Sequence, residues 1–445
     1  MHRAGASGGL FPGASEEDDV SVSAELRSPA ALFLVVAVAC AAGLLAAVAL
    51  TVYATDSGAS GKETAAPAPS VGADAVQAPR AGGSDRPAVA RDRMAERIDP
   101  EGHTDSRVCG GCHVDIYRSW RNSMHALSLS DPIFDAAYMQ ALKLEGEDAK
   151  RLCLRCHAPL TQVNADYDLK LGVTREGVTC DFCHTVTAVH LDGRDIPYST
   201  APGLTKRSVL RNAESPAHEV AYSDLHGTAE FCGGCHNYVT RGGVMLMSTY
   251  DEWRRGPYAQ EGVQCQHCHM VLSPGRVARA GLKSSGTSFH LHDLIHDTDQ
   301  LRGALSVEIV GARRTERGLE VEVTVENVGS GHCVPTGIPT REVILSVQAD
   351  SGRHHLVQDR RFRKLVGDAE GRVLATDAEA FLLGATVLDD NRIKPRERRR
   401  ERFVFALPPS GRATVRARLS YVYSPMILKK EELNIRLGEV ERVVY

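Results

Sequence analysis

Large aromatic side chains are scarce in this sequence: Phe, Trp and Tyr make up 5% of 445 residues, with two tryptophans among them. A chain of this length has room for two or three domains, and a core built from Phe and Trp alone is excluded. An excess of charge of one sign is lacking too. With 52 basic and 56 acidic residues the formal net charge is −4, which leaves no electrostatic footprint for a nucleic-acid partner. Cysteine available for disulfides is equally short. Ten of the twelve cysteines fall in one repeated pattern, leaving Cys40 and Cys333, so a disulfide framework is not the reading.

The repeated pattern is Cys-x-x-Cys-His, present five times: CGGCH at 109–113, CLRCH at 153–157, CDFCH at 180–184, CGGCH at 232–236 and CQHCH at 265–269. This is the c-type haem attachment signature. Residues i, i+3 and i+4 share one face of a helix, so two thiols can bond the haem vinyl groups while the imidazole turns onto the iron. Zinc ribbons also use C-x-x-C pairs, but they need no His directly after each second Cys. With 18 His in 445 residues, chance puts a His after a given Cys about once in 25, so five in five is roughly a one-in-ten-million coincidence. The expected cofactors are five covalently attached haem c. They are held by Cys109, Cys112, Cys153, Cys156, Cys180, Cys183, Cys232, Cys235, Cys265 and Cys268, with His113, His157, His184, His236 and His269 as proximal iron ligands. Such haems supply the flat apolar bodies the composition lacks. Their compartment is an oxidising, extracytoplasmic one.

Residues 1–29 are polar and form a cytoplasmic segment. Ala30 to Ala54 then runs 25 residues without a charge, more than the about 20 needed to cross a bilayer, and reads as an uncleaved transmembrane anchor. A cleaved signal peptide would start shorter and more basic and end in a small-x-small site. Residues 55–104, rich in Ala, Gly, Pro and Ser at their start, read as a flexible linker with a reach of roughly 40 Å. Haem is attached outside the cytoplasm, so everything after the anchor is placed in the periplasm and the protein in the cytoplasmic membrane as a single-pass chain.

The haem region, 105–300, is expected to be α-helical and irregular. VDIYRSWRNSMHALSLS at 114–130 reads as helix, as does DPIFDAAYMQALKLEGE, with Asp131 as cap, Pro132 in the first turn and Gly146 near the end. From about 301 the period changes to two. In LEVEVTVE, Leu319, Val321, Val323 and Val325 alternate with Glu320, Glu322, Thr324 and Glu326, and REVILSV, RFVFAL and ATVRARLSYVY repeat the theme. Residues 301–445 read as an all-β, sandwich-like domain. Its run RIKPRERRRER at 392–402 holds seven basic and two acidic residues. That is either a strand edge kept soluble by charge or a docking face for an acidic partner.

Thirteen His remain besides the five proximal ligands, and five of them would close every sixth iron position. A fully bis-His protein leaves no place for substrate and is an electron carrier. A Met in place of one imidazole raises the potential, and Met245, Met247 and Met270 are available. The preferred distal ligands are His125, on a helix that must pack close to haem, and His218 and His226, on the segment entering the fourth motif. His290 is preferred over its neighbours His292 and His296, and His332 in GSGHCVPTG completes the set. His103 and His190 rank behind them, His354 and His355 lower still, and His2 is on the wrong side of the membrane.

At CGGCHVDIYRSWRNSMHALS, EGVTCDFCHT, HGTAEFCGGCHN, STYDEWRRGPYAQEGVQCQHCHM and NVGSGHCVPTG the chain resembles multihaem cytochromes c related to the tetrahaem electron acceptor of hydroxylamine oxidoreductase. The resemblance spans about residues 105–345. It implies a distal ligand at His125, a β-domain opened by the G-H-x-x-P-T-G segment, and electron transfer as the family's work. Some relatives reduce nitrogen or sulfur oxyanions. The lack of a C-x-x-C-K motif speaks against a pentahaem nitrite reductase, and Cys333 is a reactive alternative ligand beside His332. The function expected is a membrane-anchored pentahaem cytochrome passing electrons between the respiratory chain and periplasmic or outer-membrane redox proteins. The alternative is a reductase or oxidase of a small nitrogen or sulfur oxyanion, or of hydroxylamine, at one five-coordinate haem. The sequence does not encode the oligomeric state.

Overall fold

The computed structural model describes residues 97–193, 196–278, 288–294, 298–423 and 433–445. The expected anchor at 30–54, most of the linker and His296 lie outside the described residues. Among the described residues no helix is long and apolar enough to cross a membrane.

The helices are short. They are α1 (Ser106–Gly110), α2 (Val114–Trp120), α3 (Pro132–Glu145), α4 (Glu147–His157), α5 (Thr161–Asn164), α6 (Cys180–Thr185), α7 (Glu230–His236), α8 (Thr249–Arg254), α9 (Pro257–Gln260), α10 (Cys265–His269), α11 (Thr298–Ala304) and α12 (Asp377–Leu383). Their ends follow the expected signals in α3. Asp131 accepts the amide of Ile133 at 3.2 Å, Pro132 occupies the first turn, and Gly146 ends the helix at φ 55°, where a side chain would be strained. The helix expected over 114–130 is cut short: α2 stops at Trp120, and residues 121–130 run mainly as turns. Ser123 gives the local reason, since its hydroxyl accepts the amide of Ala126 at 3.2 Å and so competes with helix continuation. The turns bring the His125 carbonyl to the amide of Val178 at 3.0 Å. Gly177 permits this approach, because a Cβ there would sit 2.7 Å from the same carbonyl oxygen.

Between the motifs lie small strand pairs: β1 (Val186–Val189) with β2 (Tyr198–Thr200), β3 (Thr205–Ser208) with β4 (Glu219–Tyr222), β5 (Tyr238–Val239) with β6 (Met245–Met247), and β7 (Leu272–Pro274) with β8 (Ser288–His290). Longer strands follow. They are β9 (Leu305–Thr315), β10 (Gly318–Asn327), β11 (Arg341–Ser351), β12 (His354–Phe362), β13 (Lys364–Gly367), β14 (Thr386–Asp390), β15 (Arg398–Phe405), β16 (Ala413–Tyr423) and β17 (Leu433–Val444). They form a three-stranded sheet ordered β15-β10-β9, a four-stranded sheet ordered β12-β11-β16-β17, and the pair β13-β14. Alternation sets the burial. Leu319, Val321, Val323 and Val325 of β10 join Leu345 and Val347 of β11, Phe403 and Phe405 of β15 and Val415 and Leu419 of β16 in one core. Each such aliphatic side chain contributes about 1.5–3 kcal/mol by leaving water.

The β region and the haem region fall in one unit and are fastened by buried polar contacts. Thr240 donates its hydroxyl to the Gly384 carbonyl at 2.6 Å. Lys364, only 5% exposed, donates to the carbonyls of Met245 at 2.6 Å and Leu246 at 3.2 Å. A third contact is an ion pair. Arg392 of the β region meets Glu252 of α8 at 2.7 Å, with both side chains under 10% exposed (6% and 8%).

That pair bears on the basic run at 392–402, most of which meets acids of the chain itself. Arg396 meets Glu261 at 2.6 Å, Arg399 meets Glu397 at 2.5 Å, Arg400 meets Glu322 at 3.6 Å, and Arg398 lies between Glu308 at 3.4 Å and Glu326 at 3.7 Å. The register explains the ladder: β15 runs antiparallel to β10 and sets Arg398 opposite Glu326 and Arg402 opposite Glu322. The run is therefore the polar edge of a sheet, charge-compensated by its neighbour. Neutralising Arg398, Arg399 and Arg400 together is expected to leave the salt dependence of electron transfer unchanged and to cost about 1 kcal/mol or less per pair. A rate lowered in a salt-dependent way would restore the docking reading.

Candidate haem centre

Four of the five motifs are helical from first Cys to His, in α4, α6, α7 and α10. The first motif reaches the same geometry through a turn, with the amide of His113 bonded to the Cys109 carbonyl at 2.9 Å. All ten motif cysteines and all five motif histidines line one continuous cavity of about 1790 Å³. Aromatic and aliphatic side chains such as Trp120, Phe134, Tyr138, Phe231, Trp253 and Phe381 make up much of its remaining wall.

Across this cavity imidazoles face each other in pairs. Ring centroids are 6.1 Å apart for His113 and His218, 6.2 Å for His236 and His125, 6.3 Å for His184 and His292, and 6.4 Å for His269 and His332. Two metal–imidazole bonds of about 2 Å, plus about 1.1 Å from each ring nitrogen to its centroid, give about 6.2 Å. The gaps therefore have the width of one metal atom. Hydrogen bonds orient the rings: Nδ1 of His113 bonds the Val277 carbonyl at 2.6 Å, that of His184 the Arg207 carbonyl at 2.6 Å, and that of His157 the Ser128 carbonyl at 2.9 Å. His218, His292 and His332 bond the carbonyls of Glu219 at 2.9 Å, His290 at 2.7 Å and Cys333 at 3.0 Å in the same way. A carbonyl on Nδ1 fixes the tautomer that leaves Nε2 for a metal. Burial supplies the neutral form. It pushes His125 down to about 3, with His236, His157 and His269 adding to the effect.

The family model of cytochrome c554 and c-prime matches residues 108–185, a stretch that contains the first three motifs. The structure is similar to that of a penta-heme cytochrome c552 from Thermochromatium tepidum, with a TM-score of 0.64, 22% identity, and coverage of 78% of this chain and 100% of that one. The chain has the fold of a multihaem cytochrome c. A second solved structure, a Northeast Structural Genomics Consortium target, is 12% identical with a TM-score of 0.11 over 31% of this chain and 81% of that one, too low to carry an argument. No curated protein matches the chain.

Covalently bound haem c fits this cavity on three counts: paired thiols one helical turn apart, opposed imidazoles at the width of one metal, and an apolar wall. The structure also separates the candidate histidines. His226, expected as a ligand, is engaged at both nitrogens, by the Ser223 hydroxyl and by the Cys183 carbonyl, each at 2.9 Å. Its centroid lies 5.9 Å from His184, but its Nε2 is turned to a backbone oxygen. His290, preferred on sequence, is exposed and bonds the Met270 carbonyl at 2.7 Å, while His292 opposes His184. Their spacing in the sequence could not separate the two, since β8 ends at His290 and His292 lies in the irregular chain just beyond it. The tertiary contact does, since the Ser119 hydroxyl accepts the amide of His292 at 2.8 Å. Of the lower-ranked histidines, His190 bonds the Ser199 hydroxyl at 2.8 Å, His103 lies 3.5 Å from the Thr185 hydroxyl, and His355 pairs with Asp350 at 2.6 Å. Among the described residues no imidazole opposes His157, and Phe134 stacks on its ring with centroids 3.7 Å apart. Met247 and Met270 line the cavity.

Contacts between the motif segments give their order in space. The Ser106 hydroxyl of α1 accepts the Cys180 amide at 3.4 Å, Arg155 of the second motif covers the Tyr238 ring just after the fourth at 4.8 Å, Tyr198 after the third motif donates to the Phe231 carbonyl beside the fourth at 2.8 Å, and Gln264 before the fifth accepts the Ala229 amide before the fourth at 2.8 Å. The fourth motif thus adjoins the second, third and fifth, and the first adjoins the third. No fixed repeat interval in the sequence announces this arrangement.

Proposed function

We propose that the protein is a membrane-anchored pentahaem c-type cytochrome that passes electrons between the respiratory chain and periplasmic or outer-membrane redox proteins. When bound, each haem supplies a one-electron iron couple. The chain's own residues set the rest: thioether positions fix the spacing, paired imidazoles close the iron, and apolar walls exclude water. The observation that carries the reading is the set of four opposed imidazole pairs, which close four iron sites to substrate. His218, His125, His292 and His332 are accordingly the distal ligands proposed for the first, fourth, third and fifth haems. Anchoring and periplasmic exposure rest on the charge-free run Ala30 to Ala54 and on where haem c is attached.

A second reading is favoured by one position. His157 has no opposed imidazole among the described residues. A five-coordinate second haem there would accept a small oxyanion or hydroxylamine. One preparation tests both readings. Protein extracted from salt-washed inner membranes should have an intact mass exceeding the polypeptide by five haems, and its low-temperature EPR spectrum should show four low-spin irons and one high-spin iron. Fewer haems, or release by osmotic shock, would overturn the anchored pentahaem reading. Five low-spin irons would remove the oxyanion site and direct attention to ligands such as His296.

A further inference from the structure

Five haems bring ten propionate groups to a chain whose formal charge is already −4. The cations facing the cavity therefore decide where carboxylates can be buried. Among the described residues these are Arg155, Lys206, Arg207 and Arg341. Lys206 is committed to the buried Asp181, Arg155 covers the Tyr238 ring, and Arg207 reaches the Thr205 carbonyl at 3.5 Å.

Arg341 differs from the other three. It is the first residue of β11, so the β region places it, yet it lines the haem cavity. Its Nη1 donates to the Thr336 carbonyl at 3.3 Å and its guanidinium lies 6.0 Å from the centre of the Tyr423 ring, while its Nε is buried without a hydrogen-bond partner. The acids of its surroundings are engaged elsewhere. Asp377 accepts from the hydroxyls of Thr340 at 2.6 Å and Tyr423 at 2.8 Å, and Glu342 is bound to Arg361 and Arg363. A buried donor left unmade costs about 1–3 kcal/mol, and a guanidinium fork matches a carboxylate better than any other partner. The Thr336 that Arg341 holds meets the Thr249 hydroxyl at 2.9 Å at the start of α8, and the amide of Asp251 in α8 donates to Asn237, the residue after His236, at 3.2 Å, which places Arg341 beside the fourth motif.

We propose that Arg341 is the counter-charge, contributed by the β region, to a propionate of the haem held by Cys232, Cys235 and His236, and that it raises this haem's reduction potential. The sign follows from charge. Ferric haem is one unit more positive than ferrous haem, so a nearby cation disfavours the oxidised form, and a neutralised propionate acts in the same direction. The motif that would hold this haem adjoins three others. The β region thereby gains an electrostatic role as well as a structural one.

This inference rests on the pentahaem reading, and the test keeps the two apart. Haem content by pyridine haemochrome and a spectroelectrochemical titration are measured on the full-length protein and on Arg341→Gln. The variant should keep five haems and show a downward shift of one midpoint potential, with the other four unchanged. Arg341→Lys, which keeps the charge without the fork, should fall between the two. A titration that superimposes on the wild-type curve, or one in which all five haems move together, overturns the proposal. If Arg341→Gln does not load five haems, Arg341→Lys decides. A loaded Lys variant with one midpoint modestly lowered and the other four unchanged supports the counter-charge, and one that loads with no single midpoint lowered, or that also fails to load, makes Arg341 a packing residue and overturns it. A wild-type protein with fewer than five haems would instead sink the pentahaem reading itself.

Discussion

His125→Ala should turn the haem held by Cys232, Cys235 and His236 from low spin to high spin while all five haems remain attached. The thioether bonds and the proximal imidazole are untouched by the substitution, so attachment survives. The sixth ligand is lost, because the His125 ring is the one opposed to His236 at 6.2 Å. Removal of an imidazole leaves a cavity as well as an open iron, and the surrounding turns 121–130 have little regular structure to lose. The effect should be read by low-temperature EPR together with haem content. The same measurement separates two other histidines: His292→Ala should give a second high-spin iron, whereas His226→Ala should leave the spin count unchanged. A high-spin signal from His226→Ala with none from His292→Ala would exchange their roles.

Glu252→Gln should lower the unfolding free energy by about 3 kcal/mol, read as a shift in the denaturant midpoint, because it leaves a buried guanidinium short of its carboxylate. Glu252 holds four groups at once. One oxygen accepts from Arg392 at 2.7 Å and from the Ser248 hydroxyl at 2.6 Å. The other accepts from the Cys333 amide at 3.1 Å and the Thr336 hydroxyl at 2.8 Å. An amide side chain offers one acceptor oxygen where the carboxylate offers two, so either Arg392 or the loop carrying His332 loses its partner. Against a typical total of about 5–15 kcal/mol the loss is large. The pH dependence has a definite sign. Burial pushes Glu252 up, but Arg392 and then the Ser248 and Thr336 hydroxyls pull it down further, and it settles below the ordinary value of 4.5. Its contribution is complete above that value and is lost as pH falls through the lowered one. Glu252→Gln should therefore be less sensitive to acid across that window than wild type. A variant as stable as the wild type would show that the pair contributes nothing net.

These two sites differ in how far the sequence foretold them. His125 stood out because a haem creates a demand for a ligand and the residue follows the first motif closely, and the structure sets its ring opposite His236 of the fourth motif. Glu252 did not. Nothing in STYDEWRR marks one of its acids as the anchor for an arginine 140 residues later in the chain, since an ion pair between distant segments leaves no periodic trace in either. The basic run at 392–402 shows the converse. Its charge was plain, but its meaning depended on the register that sets the arginines of β15 opposite the glutamates of β10.

The sequence by itself determined the chemistry. Five thiol-thiol-imidazole sets are local, each complete within five residues, and helical spacing alone gives them a common face. It also determined the strands after 301, because alternation of Val and Leu with Glu is a local pattern that fixes which face is buried. Only the tertiary structure decided which second imidazole meets four of the motifs, why His292 and not His290 faces His184, and that His226 spends both nitrogens on its own surroundings. It alone brought the fourth motif beside three others and carried Arg341 from the β region into the haem cavity. The physical reason is range. Covalent attachment and strand alternation are written in neighbouring residues, whereas a sixth ligand, a counter-charge or a neighbouring haem is whatever side chain the packing of distant segments delivers to within a few ångströms.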